Sequence, residues 1–182
     1  MVFFNELILS LLIGFGVFVF STSFIHFKNE KGKEWISNLT DSASIITSLA
    51  AIGYLLIWLT DLYTSFKSEE EYSSLLTRLT GPYWFGYWIY PICNGLFPQL
   101  LWLKKIRKVK AMRIVTAFLL LFALYIEKLV IFITSLHRDY VPSSWTMLPG
   151  YFIIYDWFVN LLIFSLALGF AHLVKLKFVR NT

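Results

Sequence analysis

Ionisable side chains interrupt an otherwise apolar stretch near residue 127, where Glu127 is followed directly by Lys128. A charge near the middle of a bilayer is costly, so it needs a partner, a water-filled cavity or a function. Glu127, Thr134 and Arg138 recur at helical spacing and would share one stripe of a helix. An acid at depth, a hydroxyl above it and a guanidinium at the rim could relay protons. A structural ion pair that fixes helix packing is the alternative.

Other polar residues would extend such a proton path. Asp139 follows the same stretch, Asp156 lies about six residues into the last apolar stretch, and Asp61 lies at the end of the second. Asp61 and Asp156 each have a plainer interpretation as solvated residues near the membrane surface. The candidates for the path are therefore Glu127, Thr134, Arg138, Asp139, Asp156, Asn94 and Asp61.

Asn94 stands in a segment that also contains Pro91 and Pro98. A proline inside a helix leaves the carbonyl four residues earlier without its amide partner, so Pro98 would free the carbonyl of Asn94. Irregular backbone at membrane depth is tolerated where it lines protein or water. The segment is expected to line a polar region or, more simply, to form a packing kink.

The elements that must position these residues follow from composition. The chain has 182 residues, of which 58% are hydrophobic and 15% are charged, against roughly 25% charged residues in average soluble domains. This composition excludes an ordinary soluble enzyme, a disordered tail and a disulfide scaffold. Cys93 is the only cysteine, so the chain cannot build a disulfide or a thiolate metal site alone. We expect no cofactor within this chain.

Five apolar segments are long enough to cross ~30 Å of hydrocarbon as helices. The expected fold is one all-α transmembrane domain over residues 1–182, a four-helix bundle with one flanking helix. The first segment lacks a preceding basic residue and a cleavage pattern, so we expect it to be retained. The spans are predicted at about 4–27, 43–63, 83–103, 114–136 and 151–174.

The distribution of basic residues predicts the orientation. Twelve of the 16 Lys and Arg fall in the first connection, the third connection and the tail, which five spans place on one side. The positive-inside rule puts that side in the cytoplasm and the N-terminus outside. The chain is therefore expected to be a multi-pass protein of the inner (cytoplasmic) cell membrane. Its basic third connection would meet anionic lipid rather than nucleic acid.

Three stretches carry a resemblance to a known family: RLTGPYW at 78–84, CNGLFPQLLWLKKIR at 93–107 and YIEKLVIFITSLHRDYVPSSW at 125–145. They resemble the second helical half of the NrfD-like (polysulfide reductase membrane subunit) family. Within it, the chain is most similar to the quinol-oxidising membrane subunit of alternative complex III, a complex of the respiratory electron-transport chain. The resemblance covers the middle of the chain and is weak in the first two spans and the last.

The resemblance implies a place in an assembly. The family's subunit has two four-helix bundles: the first binds quinol beside an iron–sulfur subunit, and the second is associated with a proton route. It implies partners that hold quinol, haem and iron–sulfur centres, namely iron–sulfur and multihaem cytochrome subunits. It also implies that the outer loop docks such a partner, through His137, Arg138, Asp139 and Trp145. The positions that match the family are Glu127, Thr134, His137, Arg138 and Asp139, with Asn94 and Gln99.

Departures from the family pattern shape the expected function. The first bundle is absent, so a second chain or a self-copy would have to supply it. Lys128 stands where the family has an arginine, and Ile57 stands where a carboxylate is expected. We therefore expect a half-size membrane subunit of a quinol-linked respiratory complex, without redox cofactors and at most a non-redox part of the enzyme. The alternatives are a non-catalytic anchor that docks a peripheral redox partner and, less favoured, a small solute carrier.

Overall fold

The structure is a computed structural model that describes residues 2–25, 29–81, 84–137 and 150–180. Within these ranges the side chains of residues 2, 70, 124–125, 127–137, 151–153 and 174–180 lie outside the description. The described residues are helical apart from short connections, and no strand occurs among them. The all-α prediction is therefore confirmed for the described part of the chain.

Seven α-helices and one interrupted segment make up the described fold. The interrupted segment is a π-helical turn, Pro91–Leu96, followed by a 3₁₀ turn, Phe97–Trp102. The α-helices are α1 Val2–Phe24, α2 Glu30–Lys67, α3 Glu69–Thr80, α4 Trp84–Tyr90, α5 Lys104–Arg107, α6 Lys110–His137 and α7 Gly150–Arg180.

Three of these helices are long and apolar enough to cross a membrane. The spans among the described residues are Phe3–Phe24, Glu30–Lys67 and Ile154–Leu173. This agrees with the expected membrane class, whereas the count of five spans and the orientation stay predictions. At about 1.5 Å per residue, the 38 residues of α2 extend well beyond ~30 Å of hydrocarbon. One or both ends of α2 must therefore project from the bilayer.

The predicted connections at 28–42 and 64–82 are polar in sequence, yet their described residues are mostly helical. Helix α2 begins at Glu30 because the Asn29 side chain accepts a hydrogen bond from the Lys31 amide at 3.4 Å, as an N-cap does. Helix α3 begins after Ser68, whose backbone is extended, and acidic side chains at its start suit the positive end of a helix dipole. Local capping therefore favours helix in stretches where low hydropathy predicts a loop.

The predicted interruption of the third apolar segment is confirmed. Regular α-helix ends at Tyr90, Pro91 opens the π-helical turn, and Pro98 lies in the 3₁₀ turn. The Phe97 amide donates to the Ile92 carbonyl, which is the wide spacing of a π-turn. Since each proline lacks an amide hydrogen, the chain changes its hydrogen-bond spacing instead of keeping the α-helical ladder.

Helix α1 is central and packs on α2, α6 and α7. Its glycines permit close approach: a Cβ on Gly14 would collide with Phe164 and the Asn160 carbonyl, and one on Gly16 with Leu121. Small residues at a helix interface let backbones come together, which is how helices associate in lipid. The ring of Phe164 fills the space beside Gly14 and meets Phe15 edge-on at 6.1 Å.

The contacts along α1 fix the direction of its neighbours. The Lys110 ammonium donates to the Ser23 carbonyl at 3.3 Å, so α6 starts beside the end of α1 and runs antiparallel to it. Trp157, near the start of α7, lines an apolar groove of about 580 Å³ together with Phe20 and Phe24. Since Phe164 lies further back, beside Gly14, α7 also runs antiparallel to α1.

This direction of α7 differs from the arrangement expected for five alternating spans, in which the first and last helices are parallel. Two contacts together establish this direction. Phe164 lies beside Gly14, and the start of α7 lies beside the end of α1. The connection at 138–149 lies outside the described residues.

Candidate functional site

A buried polar seam joins α2 to the interrupted segment. We define the polar seam as Ser48 and Tyr54 of α2 with Asn94 and Gln99 of the interrupted segment. The two elements pack closely, since a Cβ on Gly95 would collide with the Leu55 side chain. Polar groups away from water need partners inside the protein, so the seam shows how the irregular backbone is accommodated.

Ser48 links the two elements directly. It is fully buried, and its hydroxyl lies 3.0 Å from the Ser44 carbonyl of its own helix and 3.0 Å from the Pro98 carbonyl. A serine hydroxyl carries one hydrogen, so the two carbonyls share one donor. The contact with Pro98 ties α2 to the 3₁₀ turn, where regular α-helical pairing is lost.

Gln99 repairs the backbone around Pro98. Its amide nitrogen donates to the Gly95 carbonyl at 3.0 Å and approaches the Ser48 carbonyl at 3.4 Å. Its amide oxygen accepts from the Trp102 indole at 2.9 Å. In a regular α-helix, Pro98 would leave the Asn94 carbonyl without a partner. The Gln99 side chain instead donates to the Gly95 carbonyl. The difference arises because the backbone here is π-helical and 3₁₀, with other spacings.

Asn94 is the group of the seam that stays incompletely paired. Its side chain is 2% exposed and interacts with Tyr54. The amide nitrogen nevertheless has no hydrogen-bond partner among the described residues. A buried donor left unpaired costs about 1–3 kcal/mol, and π-turns of this kind often occur at functional sites. The Asn94 amide is therefore the best candidate in the seam for contact with water, a ligand or another chain.

The backbone of Glu127 lies near the level of the polar seam. Helices α1 and α6 meet where Gly16 contacts Leu121, and Glu127 is six residues further along α6, about 9 Å. In the same direction along α1, Ile8 is about 12 Å from Gly16, and it contacts Gly53 on α2. Glu127 is thus within about one helical turn of the height of the seam.

The two other candidate acids of the proton path whose side chains are described lie away from the polar seam. Both Asp61 and Asp156 are exposed in the described chain. Asp61 lies two turns beyond Gly53, towards the start of α1, whereas Asp156 precedes Trp157, which lines the groove beside Phe24 at the end of α1. The two acids therefore lie towards opposite ends of α1, because α7 runs antiparallel to it, and their place in one proton path stays a prediction.

Several predicted site residues cannot be placed by their side chains. Thr134 and His137 belong to α6 with Glu127, and all three side chains lie outside the described residues. Arg138, Asp139 and Trp145 lie wholly outside them. Their roles in a proton path or a docking loop stay predictions.

The structure also brings together residues whose positions in the sequence do not predict a contact. Tyr54 joins Asn94, and no spacing rule links residues forty apart on separate helices. Asp41 pairs with Arg107, with Oδ1 and Nε 3.6 Å apart, and their side chains are only 25% and 12% exposed. The one signal for this pair is that both residues lie at the predicted cytoplasmic ends of neighbouring segments.

No three His, Cys, Asp or Glu side chains converge as metal ligands in the part of the chain that the structure describes. A scan against models of protein families finds no match to this chain, and a search of curated proteins finds none either.

Proposed function

We propose that the chain is an integral membrane subunit of a quinol-linked respiratory complex and contributes a proton path through Glu127 and the polar seam. The observation that carries the path is the buried Asn94 amide with no partner among the described residues, on a π-turn between apolar helices. The resemblance of 78–145 to NrfD-like subunits is the ground for the respiratory assignment. The redox partners and the membrane orientation of the first four segments belong to this proposal, whereas the direction of α7 departs from five alternating spans.

The groups divide the work by their chemistry. A carboxyl can take up and release a proton near neutral pH when its surroundings raise its pKa, whereas amides and alcohols do not titrate in this range. Glu127 would therefore be the group that carries the proton. Hydroxyls both donate and accept hydrogen bonds, so Tyr54 could orient a water in the seam, and Ser48, whose hydrogen is shared by two carbonyls, could accept from one. The Asn94 amide would hold one such water through its unpaired donor.

Proton transfer in the assembled complex tests this proposal. The complex that co-purifies with the chain is reconstituted in proteoliposomes, and protons moved per quinol oxidised are measured. Glu127→Gln and Asn94→Leu should each assemble and lower that ratio. Asp156→Asn serves as the control, because Asp156 is exposed and distant from the seam. Full proton stoichiometry in Glu127→Gln would contradict the path, and failed assembly of that variant would support a structural ion pair instead.

A membrane anchor for a peripheral redox partner is the second candidate. Its support is the outward face of α7, where large apolar side chains recur every three to four residues and remain exposed. They include Ile154, Phe158, Leu162, Leu166, Phe170 and Leu173. Such a face suits lipid or another chain.

Replacing Arg138 and Asp139 together separates the two candidates. An anchor should lose its peripheral subunit on purification while the membrane part stays folded. Loss of turnover with all partners retained would count against a pure anchor. Native mass spectrometry in nanodiscs adds a check, because both candidates predict a second chain, and a monodisperse monomer would contradict both.

A further inference from the structure

A small polar cleft lies where the end of α1 meets α2 and the start of α6. It has a volume of about 140 Å³, and since liquid water takes roughly 30 Å³ per molecule, it has room for a tetrahedral oxyanion. Three hydroxyl side chains and two cations are among the residues that line it. The polar lining residues are Thr22, Ser23, Thr40, Lys110 and Arg113.

The cations of the cleft are poorly compensated. Lys110 and Arg113 lie in the first turn of α6, where the helix dipole is positive and where no acidic residue is present. Neither forms an ion pair with any described carboxylate. Asp41, whose charge acts on Arg113, pairs with Arg107 instead. One partly buried carboxylate is therefore shared between two guanidinium groups.

Burial sharpens this imbalance at Arg113. Desolvation lowers the pKa of its guanidinium below the ordinary value, and the charge of Asp41 offsets only part of the effect. Arginine nevertheless stays protonated in proteins. The half-buried guanidinium therefore stays charged in partly desolvated surroundings, and a bound anion would compensate its charge.

The cations of the cleft, more than its hydroxyls, determine which kind of ligand it can bind. Those of Thr22, Ser23 and Thr40 donate to carbonyls of their own helices. The donors left for a ligand are the guanidinium of Arg113 and the ammonium of Lys110, which also donates to the Ser23 carbonyl. A guanidinium and an ammonium together match the oxygens of a phosphate group, and the positive end of the α6 dipole favours an anion there.

We propose that the cleft between α1, α2 and the start of α6 binds a phosphate group through Lys110 and Arg113. Both a phospholipid headgroup and free phosphate present this chemistry. The site does not depend on the proposed respiratory function, because it uses neither the polar seam nor Glu127.

Binding of phosphatidylglycerol tests the proposal, with a matched control. The purified chain in nonionic detergent is titrated with short-chain phosphatidylglycerol and, separately, with phosphatidylcholine and inorganic phosphate, and thermal stabilisation is recorded. The double variant Lys110→Gln, Arg113→Gln should weaken phosphatidylglycerol binding by about tenfold or more, since cations near a membrane surface attract anionic headgroups. The control is Lys104→Gln, Lys108→Gln, which removes the same charge from exposed residues outside the cleft.

The outcomes separate the sources of phosphate. Stabilisation by phosphatidylglycerol alone identifies a lipid site, and stabilisation by inorganic phosphate identifies a site for the free ion; the control variant should keep either one nearly unchanged. Equal weakening in both double variants would overturn the proposal in favour of diffuse surface charge. Ser23→Leu keeps the charge but fills the cleft, so it should weaken binding even where the double variant fails to fold.

Discussion

The contact of α1 with α7 and the polar seam of α2 solve the problem of packing helices in opposite ways. The first is apolar and depends on Gly14, which lets Phe164 reach the backbone of α1. The second is polar and depends on side chains that restore hydrogen bonds where two prolines break a helix. Close packing holds one region together, and completed hydrogen bonding holds the other.

The difference matters because the two regions tolerate different changes. A tight apolar contact cannot accept added volume, since the backbone itself is the neighbour. The stability of a polar seam depends instead on whether each buried donor and acceptor is paired. The seam also offers a hydrogen-bond donor to water or a ligand, because the Asn94 amide remains unpaired among the described residues.

The largest effect is expected at Gly14. Gly14→Ala would place a methyl group against the Asn160 carbonyl and Phe164, so we expect a loss of about 1–3 kcal/mol in the free energy of unfolding. Gly169→Ala is the matched control, because a Cβ there meets no described heavy atom within 4 Å and alanine favours helix. Thermal unfolding in detergent measures both. Equal stability of the two variants would show that the α1–α7 contact is not formed as described.

The next effect compares two buried serines of α2. Ser48→Ala removes the hydrogen bond to Pro98 on the other element, whereas Ser44→Ala removes only a bond within its own helix. We expect Ser48→Ala to be less stable than Ser44→Ala by about 1 kcal/mol. Chemical unfolding followed by tryptophan fluorescence compares them. If Ser44→Ala is the more damaging, the seam does not join the two elements energetically.

Asn94 should show the opposite sign. Asn94→Leu removes a buried donor that is unpaired among the described residues, and the lost contact with Tyr54 offsets only part of that gain. We expect stability to be unchanged or to rise by up to about 1 kcal/mol. A clear loss of stability would mean that Asn94 is paired in the folded protein, and it would remove the main support for a water at that position.

The smallest effect is expected for Asp41 and Arg107. Both side chains are partly exposed and their charged atoms are 3.6 Å apart, so a double-mutant cycle with Asp41→Asn and Arg107→Gln should give a coupling below about 1 kcal/mol. Salt should weaken it further. The exposed pair Glu30–Lys33 should couple still less. A coupling of several kcal/mol would instead indicate a desolvated pair inside the bundle.

Some of the fold follows from local sequence. Apolar stretches predict helices in a membrane because backbone groups in lipid must bond internally, and the described chain is helical with three candidate spans. Pro91 and Pro98 predict the interruption at the residues where it occurs. The extension of α2 down to Glu30 is harder to predict, since a single capping side chain outweighs low hydropathy there.

Composition, proline and charge act locally, so the amino-acid sequence alone predicts the helical class, the broken third segment and the concentration of basic residues near the start of α6. The folded chain is needed to see that Tyr54 meets Asn94, that Asp61 and Asp156 lie at opposite ends of α1, and that Lys110 and Arg113 line a cleft. These facts depend on the register and direction of helices far apart in the chain. Register is set by which side chains fit together in space, and hydropathy along one helix does not encode it.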